Sequence, residues 1–180
     1  MKTIHFLFKL LMITLLCSCS SDDEVVEPVK KESIRIKAIE LYAKKIPDTE
    51  GDALEVYGTI TAKLILNDSS NEQILWQKSR EYYQSLGYAN ISSEEFEHVF
   101  TLTEEEIKNG ALIEVKANMW DKDPDGNPDD FLGENIERFE ASWATLLAND
   151  NNPTGKVITL DRFEGIEFLV FFTIEHIREE

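Results

Sequence analysis

A strict alternation of apolar and other residues between Leu54 and Leu66 limits the possible folds of this chain more than any other feature. Even-numbered positions in this segment are apolar or glycine, whereas all but one of the intervening odd-numbered positions carry polar or amphipathic side chains. Successive side chains of a strand point to opposite faces of a sheet, so the pattern predicts a strand with one buried face. The alternation recurs over residues 111–120 and 165–177. The chain is therefore predicted to be mostly β.

Eight segments in all have strand character, and they are separated by short polar loops. They cover residues 33–45, 54–66, 73–80, 96–102, 111–120, 134–147, 157–160 and 165–177. A change of parity near Ala38 predicts a bulge in the first strand, and Ile74 and Trp76 are expected to point inward from the third. A helix is the rival interpretation for residues 33–45 and 134–147. Thr103 followed by three glutamates predicts a helical turn before Asn109.

Many short strands with little helix predict an antiparallel β-sandwich in one domain, over residues 32–180. If the strands alternate in direction, the loops after odd-numbered strands lie at the same end of the sandwich. Those loops include residues 46–53, 81–95 and 121–131. The sequence therefore predicts that these three connections meet.

The loop after the fifth strand is strongly acidic. Its carboxylates are Asp121, Asp123, Asp125, Asp129 and Asp130. Two prolines and a glycine interrupt them, and Lys122 is the one nearby base in the sequence. Crowded carboxylates repel one another unless a positive charge lies among them, and calcium prefers six to eight oxygen ligands. The alternative interpretation is a solvated acidic turn.

A further acidic loop, after the first strand, carries Asp48, Glu50 and Asp52. Because both acidic loops follow odd-numbered strands, they are predicted to converge on one cation.

The first half of the 121–131 loop fits the calcium loop of an EF-hand, in which acids occupy alternate positions before a glycine. That motif requires a glutamate at its twelfth position, which here is Leu132. EF-hand loops are also flanked by helices, whereas both flanks here read as strands. We therefore reject an EF-hand.

The chain resembles C2 domains, a family of eight-stranded β-sandwiches that bind calcium and phospholipid. The third loop of that family carries Asp-x-Asp and then an Asp before aromatic or aliphatic residues and Gly. Asp121, Asp123 and Asp130 occupy these positions, before Phe131-Leu132-Gly133, and Trp120 stands where the family often has an aromatic residue. The resemblance spans residues 33–177 in outline. It implies a C2-like calcium site, in the permuted version of the strand order, and the calcium ligands predicted from it are Asp48, Asp52, Asp121, Asp123 and Asp130.

Two loops depart from the family pattern. The third loop is one residue longer than usual, so Asp129 is an alternative to Asp130. The first loop matches through Pro47-Asp48, but Glu55-Val56-Tyr57 has Glu for Asp and different spacing, which leaves the role open to Asp52.

The start of the sequence resembles a bacterial lipoprotein signal. Lys2 and Lys9 flank the start of an apolar run that is too short to span a bilayer, and the run ends near Cys19. Leu16 and Ser18 fit the positions that precede a lipidated cysteine. The following residues 20–24 resemble the acidic tract of surface lipoproteins in Bacteroidetes-type bacteria. We therefore expect a signal peptide over 1–18, lipidation at Cys19, a tether over 19–31 and exposure on the outer-membrane surface.

Composition narrows the functional classes. Thirty-five acids against 18 bases give a net charge of −17, which argues against nucleic-acid binding. No cysteine follows Cys19, and no catalytic motif surrounds His98 or His176, so both histidines are interpreted as structural and no enzymatic activity is expected. The leading hypothesis is a surface-anchored calcium-binding module whose ion could contact an anionic lipid or glycan. The alternative is a metal-independent adhesion or scaffold lipoprotein with a solvated acidic rim. The oligomeric state is left open.

Overall fold

Apolar side chains on alternate positions of long strands produce two antiparallel sheets whose inner faces pack against each other. The computed structural model describes residues 29–46, 53–87, 91–124, 127–147, 153–162 and 165–177. The predicted signal peptide and Cys19 lie outside these ranges, as do Asp48, Asp52 and Asp125. The predicted all-β antiparallel sandwich is confirmed.

Within the described ranges there are nine strands, one more than predicted. They are β1 Lys31–Lys45, β2 Ala53–Ile65, β3 Ser70–Lys78, β4 Gln84–Gly87, β5 Ile91–Thr103, β6 Leu112–Asp121, β7 Asp130–Glu140, β8 Thr154–Leu160 and β9 Glu167–Ile177. One sheet has the order β5-β1-β9-β8. The other has the order β3-β2-β6-β7, and the short β4 pairs with β2 beyond the end of β3.

Within the described residues, three short helical segments connect strands. A 3₁₀ turn covers Arg80–Tyr82, and α-helices cover Glu104–Lys108 and Ala141–Leu147. Thr103 caps the first α-helix in a reciprocal capping box with Glu106, as its sequence predicts. Of the two interpretations left open for residues 134–147, the strand holds in the first half and the helix holds in the second, at Ala141–Leu147. No helix in the parts of the chain described here is long and apolar enough to cross a membrane.

The core lies between the sheets and consists of the inward residues of nearly every strand. Its largest fully buried side chains include Phe168, Phe172, Ile34, Ile36, Leu54, Ile60, Ile113 and Met119. Full burial of each such side chain contributes roughly 1.5–3 kcal/mol relative to exposure. The predicted inward positions of β2, β6 and β9 are therefore those that hold the sheets together.

Two of the register shifts in the sheets bear directly on the predictions. The pairing of β1 with both neighbours shifts between Ala38 and Glu40, which confirms the predicted bulge. In β3, Trp76 pairs with Ile60 and Ile74 pairs with Thr61, so Leu75 is the extra residue. Leu75 and Trp76 are both buried, whereas Ile74 is 60% exposed. The prediction that Ile74 points inward is wrong, because the bulge changes which side chains face the core.

One end of the sandwich, here called the tip, contains the end of β6 and the beginnings of β2 and β7. Asp121 at the end of β6 pairs with Val56 near the start of β2 and with Asp130 at the start of β7. The short strand β4 also pairs with β2 at this end. The tip therefore brings together the 121–131 loop and the segment after β3, as predicted. The 47–52 loop lies outside the described residues.

Candidate functional site

The 121–131 loop is anchored to β2 through its first carboxylate. The Glu55 backbone N–H donates to Asp121 Oδ1 at 2.6 Å, and the Lys122 N–H donates to the Glu55 carbonyl at 3.1 Å. Asp121 is only 3% exposed. A buried carboxylate is costly unless it is hydrogen-bonded or paired, so this contact fixes where the loop leaves the sheet.

Asp129 accepts hydrogen bonds from three other residues at the tip. Its Oδ2 accepts hydrogen bonds from the Tyr57 hydroxyl and from Arg80 Nε, both at 2.7 Å. Its Oδ1 accepts from Arg80 Nη2 at 3.0 Å and from the Asp123 backbone N–H at 3.2 Å. An ionised carboxylate has about four acceptor positions. These four bonds therefore use the full acceptor capacity of Asp129.

The titration of this group follows from its contacts. The hydrogen bonds from Arg80, above all, and those from Tyr57 and the Asp123 N–H lower the pKa of Asp129 to about 2. Burial and the hydrogen bond to Asp129 raise the pKa of the Tyr57 hydroxyl to about 12. At neutral pH the arrangement therefore consists of a carboxylate, a guanidinium and a neutral phenol.

Arg80 is absent from the sequence-based prediction, which counts Lys122 as the one nearby base. Arg80 lies 49 residues before Asp129 and reaches it because β3 and β4 flank the 3₁₀ turn beside β2. Its Nη2 also lies 3.3 Å from the Asp123 carbonyl oxygen. Pairing of neighbouring strands brings together residues that are distant in sequence, and local charge counting does not detect such contacts.

Lys122 contributes less to neutralising the loop. Its Nζ lies 4.3 Å from the ring centroid of Tyr83 and 4.0 Å from a carboxylate oxygen of Glu55. This places the ammonium over the segment between the 3₁₀ turn and β4. The contact supports the position of Tyr83, while its neighbour Tyr82 is 76% exposed.

Asp130 shows the opposite electrostatic response to Asp129. Burial and the negative charges of Asp123 and Asp129 raise the pKa of its carboxyl group. The charges of Asp123 and Asp129 therefore act on Asp130 at the tip. A cation close to Asp123 and Asp130 would relieve this repulsion.

The predicted ligands are only partly described. Asp121, Asp123 and Asp130 lie at the tip, whereas Asp48 and Asp52 lie outside the described residues. Among the residues that the structure describes, no group of three or more His, Cys, Asp or Glu side chains is arranged to hold a metal ion. Because two of the five predicted ligands lie outside the described residues, the calcium site stays a prediction.

An aromatic row lies beside the 121–131 loop on three adjacent strands. Tyr57 pairs with Trp120, and Trp120 pairs with Phe131, with ring centroids 6.5 Å and 4.6 Å apart. The guanidinium of Arg162 lies 5.8 Å from the Phe131 centroid. The row supports the hydroxyl of Tyr57 where it meets Asp129. Trp120 and Phe131 could be singled out from the sequence, but their pairing with Tyr57 required the register.

The two histidines make contacts away from the 121–131 loop. His98 packs edge-on against Phe100 with centroids 4.6 Å apart, and burial lowers the pKa of His98. His176 Nε2 lies 2.6 Å from Glu32 Oε2, which joins the end of β9 to the start of β1. Each histidine thus has a partner within the first sheet.

Neither protein-family models nor curated proteins match this chain. Solved structures with a similar strand arrangement exist. A C2 domain protein from Ramazzottius varieornatus shares 12% identity at a TM-score of 0.39, over 84% of this chain and 92% of that one. Extended-Synaptotagmin 2, in a structure that contains its SMP domain and two C2 domains, shares 19% identity at a TM-score of 0.37, over 87% of this chain.

A third similar structure is human GIVD cytosolic phospholipase A2 in complex with a fluorophosphonate inhibitor and terbium chloride. It shares 9% identity at a TM-score of 0.39, over 86% of this chain. The chain spans only 18% of that phospholipase and 30% of the Extended-Synaptotagmin 2 chain. Likeness at these scores carries no argument about function, which must come from the residues of the tip.

Proposed function

We propose that the tip of this sandwich binds calcium through Asp121, Asp123 and Asp130, together with Asp48 and Asp52 of the 46–53 loop. The observation that carries the proposal is the pairing of Asp121 at the end of β6 with Asp130 at the start of β7, which places two acids side by side with Asp123 in the loop between them. The pKa of Asp130 is raised accordingly, by burial and by the charges of Asp123 and Asp129. Carboxylates that destabilise one another in the absence of a cation are suited to binding one. Asp129 is not included, because its acceptor positions are used by Arg80, Tyr57 and Asp123.

When bound, calcium would supply positive charge and a coordination shell of six to eight oxygens. The chain's own part is to present oxygens from two loops at the same end of the sandwich. Asp121 is fixed by the Glu55 N–H, and the backbone of Asp123 is fixed by Asp129 and Arg80. Ligand oxygens that are already held in place reduce the conformational entropy lost when the ion binds. Such a module would bind an anionic lipid or glycan through the ion.

Calcium titration calorimetry on the purified chain tests this proposal, with melting scans in calcium and in EDTA as a second measurement. An extracellular module is expected to have a dissociation constant of about 10⁻⁴–10⁻³ M. At ten times that concentration, binding adds roughly 1.4 kcal/mol, which corresponds to a melting shift of about 3–6 °C. Asp123→Asn combined with Asp130→Asn should abolish both signals. Absence of heat and of any shift in the unmodified chain would refute the proposal.

The second candidate is a metal-independent adhesion or scaffold domain. The specific observation in its favour is that Asp129 and Asp121 are satisfied by Arg80, Tyr57 and the Glu55 N–H, so internal contacts order much of the loop. In this case the double Asn variant should be as stable as the parent or more so, since it removes repulsion. The two candidates therefore predict opposite effects of the same substitutions in the presence of calcium.

For its location, we propose an exported lipoprotein, held at the outer membrane by lipid on Cys19 and exposed on the cell surface. The support is the sequence alone: an apolar run with Leu16 and Ser18 before the cysteine, then an acidic tract. We propose a binding role without catalysis and without nucleic acid. Metabolic labelling with an alkyne fatty acid should mark the chain and fail to mark Cys19→Ala. Equal labelling of both would exclude this anchor.

A further inference from the structure

The Arg80 guanidinium lies among the acids of the tip and supplies positive charge there, as a bound cation would. It donates to both carboxylate oxygens of Asp129, at 2.7 and 3.0 Å, and approaches the Asp123 carbonyl oxygen at 3.3 Å. Such a two-point contact fixes orientation as well as charge, because the planar guanidinium matches the carboxylate. The Asp129 side chain is only 12% exposed, so this contact is shielded from water on one side.

We propose that Arg80 is the intrinsic counter-cation of the 121–131 loop: it orders the loop without metal and limits how tightly the tip binds a divalent cation. The first part stands on the contacts of Asp129 alone. The second part rests on the proposed calcium site.

The ordering role follows from what Arg80 connects. Arg80 belongs to the 3₁₀ turn between β3 and β4, whereas Asp123 and Asp129 belong to the β6–β7 loop. Tyr57 adds a contact from β2 to the same carboxylate oxygen as Arg80 Nε. Three separate segments therefore meet at Asp129. Loss of Arg80 removes two of its four hydrogen bonds and the positive charge that accompanies them.

The limit on cation affinity has two physical origins. First, a guanidinium that contacts Asp129 and the Asp123 carbonyl oxygen, in the same loop as the predicted ligands, repels an incoming divalent ion. Second, the Asp129 oxygens are fully used as acceptors and cannot coordinate that ion. Removal of Arg80 would reverse both effects, because it deletes the repelling charge and frees acceptor positions on Asp129. Calcium affinity should therefore rise when Arg80 is replaced by a neutral residue.

The test compares three variants of the purified full-length chain. Arg80→Gln removes the charge and the two-point contact, and Arg80→Lys keeps the charge but loses the planar fork. Arg162→Gln is the matched control, because it removes one positive charge beside the aromatic row without touching Asp129. Each variant is melted in EDTA and then titrated with calcium by calorimetry.

In EDTA, Arg80→Gln should melt lower than Arg162→Gln, and Arg80→Lys should lie between Arg80→Gln and the unmodified chain. In calcium, Arg80→Gln should bind roughly tenfold more tightly than the unmodified chain, given the strength of close charge repulsion near a surface. Arg162→Gln should bind nearly as the unmodified chain does. If Arg80→Gln is unfolded in EDTA and folds when calcium is added, both parts of the proposal are supported.

A combined variant, Arg80→Gln with Asp129→Asn, separates repulsion from freed coordination. It should lose part of the affinity gained by Arg80→Gln alone, because the introduced amide lacks the carboxylate charge. Equal melting of Arg80→Gln and Arg162→Gln in EDTA would overturn the ordering role. Unchanged or weaker calcium binding by Arg80→Gln would overturn the limiting role.

The outcomes also separate this inference from the calcium proposal itself. If the unmodified chain binds no calcium but Arg80→Gln does, Arg80 is a full replacement for the ion and the proposed function fails alone. If neither chain binds calcium, the proposed function and the limiting role both fail. The melting comparison in EDTA still decides the ordering role in that case.

Discussion

At the scale of single residues, the order of the 121–131 loop depends on which donors bind the Asp129 carboxylate. Asp129 receives four hydrogen bonds, two of them from a guanidinium, while its neighbour Asp130 is partly buried and is repelled by the like charges of Asp123 and Asp129. Adjacent residues of the same type thus have different roles. The donors around Asp129 give it a structural role, whereas Asp130 is the carboxylate that binds the cation under the proposed function.

Replacement of Asp129 by Asn should destabilise the chain by about 1–3 kcal/mol at neutral pH, since charge-assisted hydrogen bonds are lost. The pKa of Asp129 is lowered from 3.8 to about 2, so its contribution to stability is present above about pH 4. That contribution is lost as the pH falls from about 4 towards 2. Asp129→Asn should therefore lose less stability over this range than the parent does.

Urea unfolding at neutral pH and at several acidic values measures this difference. Asp68→Asn, an exposed acid in the turn between β2 and β3, is the control and should follow the parent at every pH. A parallel pH dependence for Asp129→Asn and the parent would contradict the assigned role of Asp129.

The limits of sequence reasoning at this scale concern partners rather than positions. The spacing of the acids at 121–130 is enough to identify them as the centre of the tip. Arg80 cannot be identified in this way, because no local pattern marks a base that meets its partner only after β2 pairs with both β4 and β6. The premise that Lys122 is the available base is therefore wrong.

At the scale of elements, the alternation of apolar and polar residues predicts strands well where the strand pairing is free of bulges. β2, β6 and β9 have buried faces at the predicted positions. The prediction fails where the register breaks, as at Leu75, and where a strand passes directly into a helix, as at Ala141. Both failures have one physical cause. A bulge or a change from strand to helix alters which side chains face the core, while the sequence remains apolar and shows no sign of the change.

The bulge in β3 makes a direct prediction for two neighbouring residues. Leu75→Ala should cost about 2–5 kcal/mol because it opens a cavity at a buried site. Ile74→Ala should change stability by less than about 1 kcal/mol, since Ile74 is 60% exposed. Chemical denaturation of both variants gives the comparison. Equal losses, or a larger loss for Ile74→Ala, would show that the register differs from the one described.

The pairing of β2 with β6 depends on Gly58. Its φ is +135°, and a β-carbon there would lie 2.1 Å from the Asn118 carbonyl oxygen. Gly58→Ala should therefore destabilise by roughly 2–5 kcal/mol, from combined strain and overlap. Gly155→Ala is the matched control, because nothing lies within 4 Å of the added carbon. A thermal unfolding series in which the two variants behave alike would contradict this account of Gly58.

At the scale of the whole molecule, charge acts on stability independently of any site. The chain carries 35 acids and 18 bases, a net charge of −17, and self-repulsion of this size disfavours the folded state. Sodium chloride should therefore raise the melting temperature by screening, with the effect levelling off as the Debye length approaches about 3 Å near 1 M. The same screening would also accompany any addition of calcium chloride.

Separation of the two effects requires melting scans at equal ionic strength in sodium chloride and in calcium chloride. General screening predicts equal shifts, because it depends on ionic strength and not on the identity of the cation. A specific site predicts a larger shift in calcium, which saturates near the dissociation constant and disappears in Asp123→Asn with Asp130→Asn. Identical curves in the two salts would mean that calcium acts only by screening the net charge of the whole molecule. The order of the 121–131 loop would then come from its contacts with Arg80.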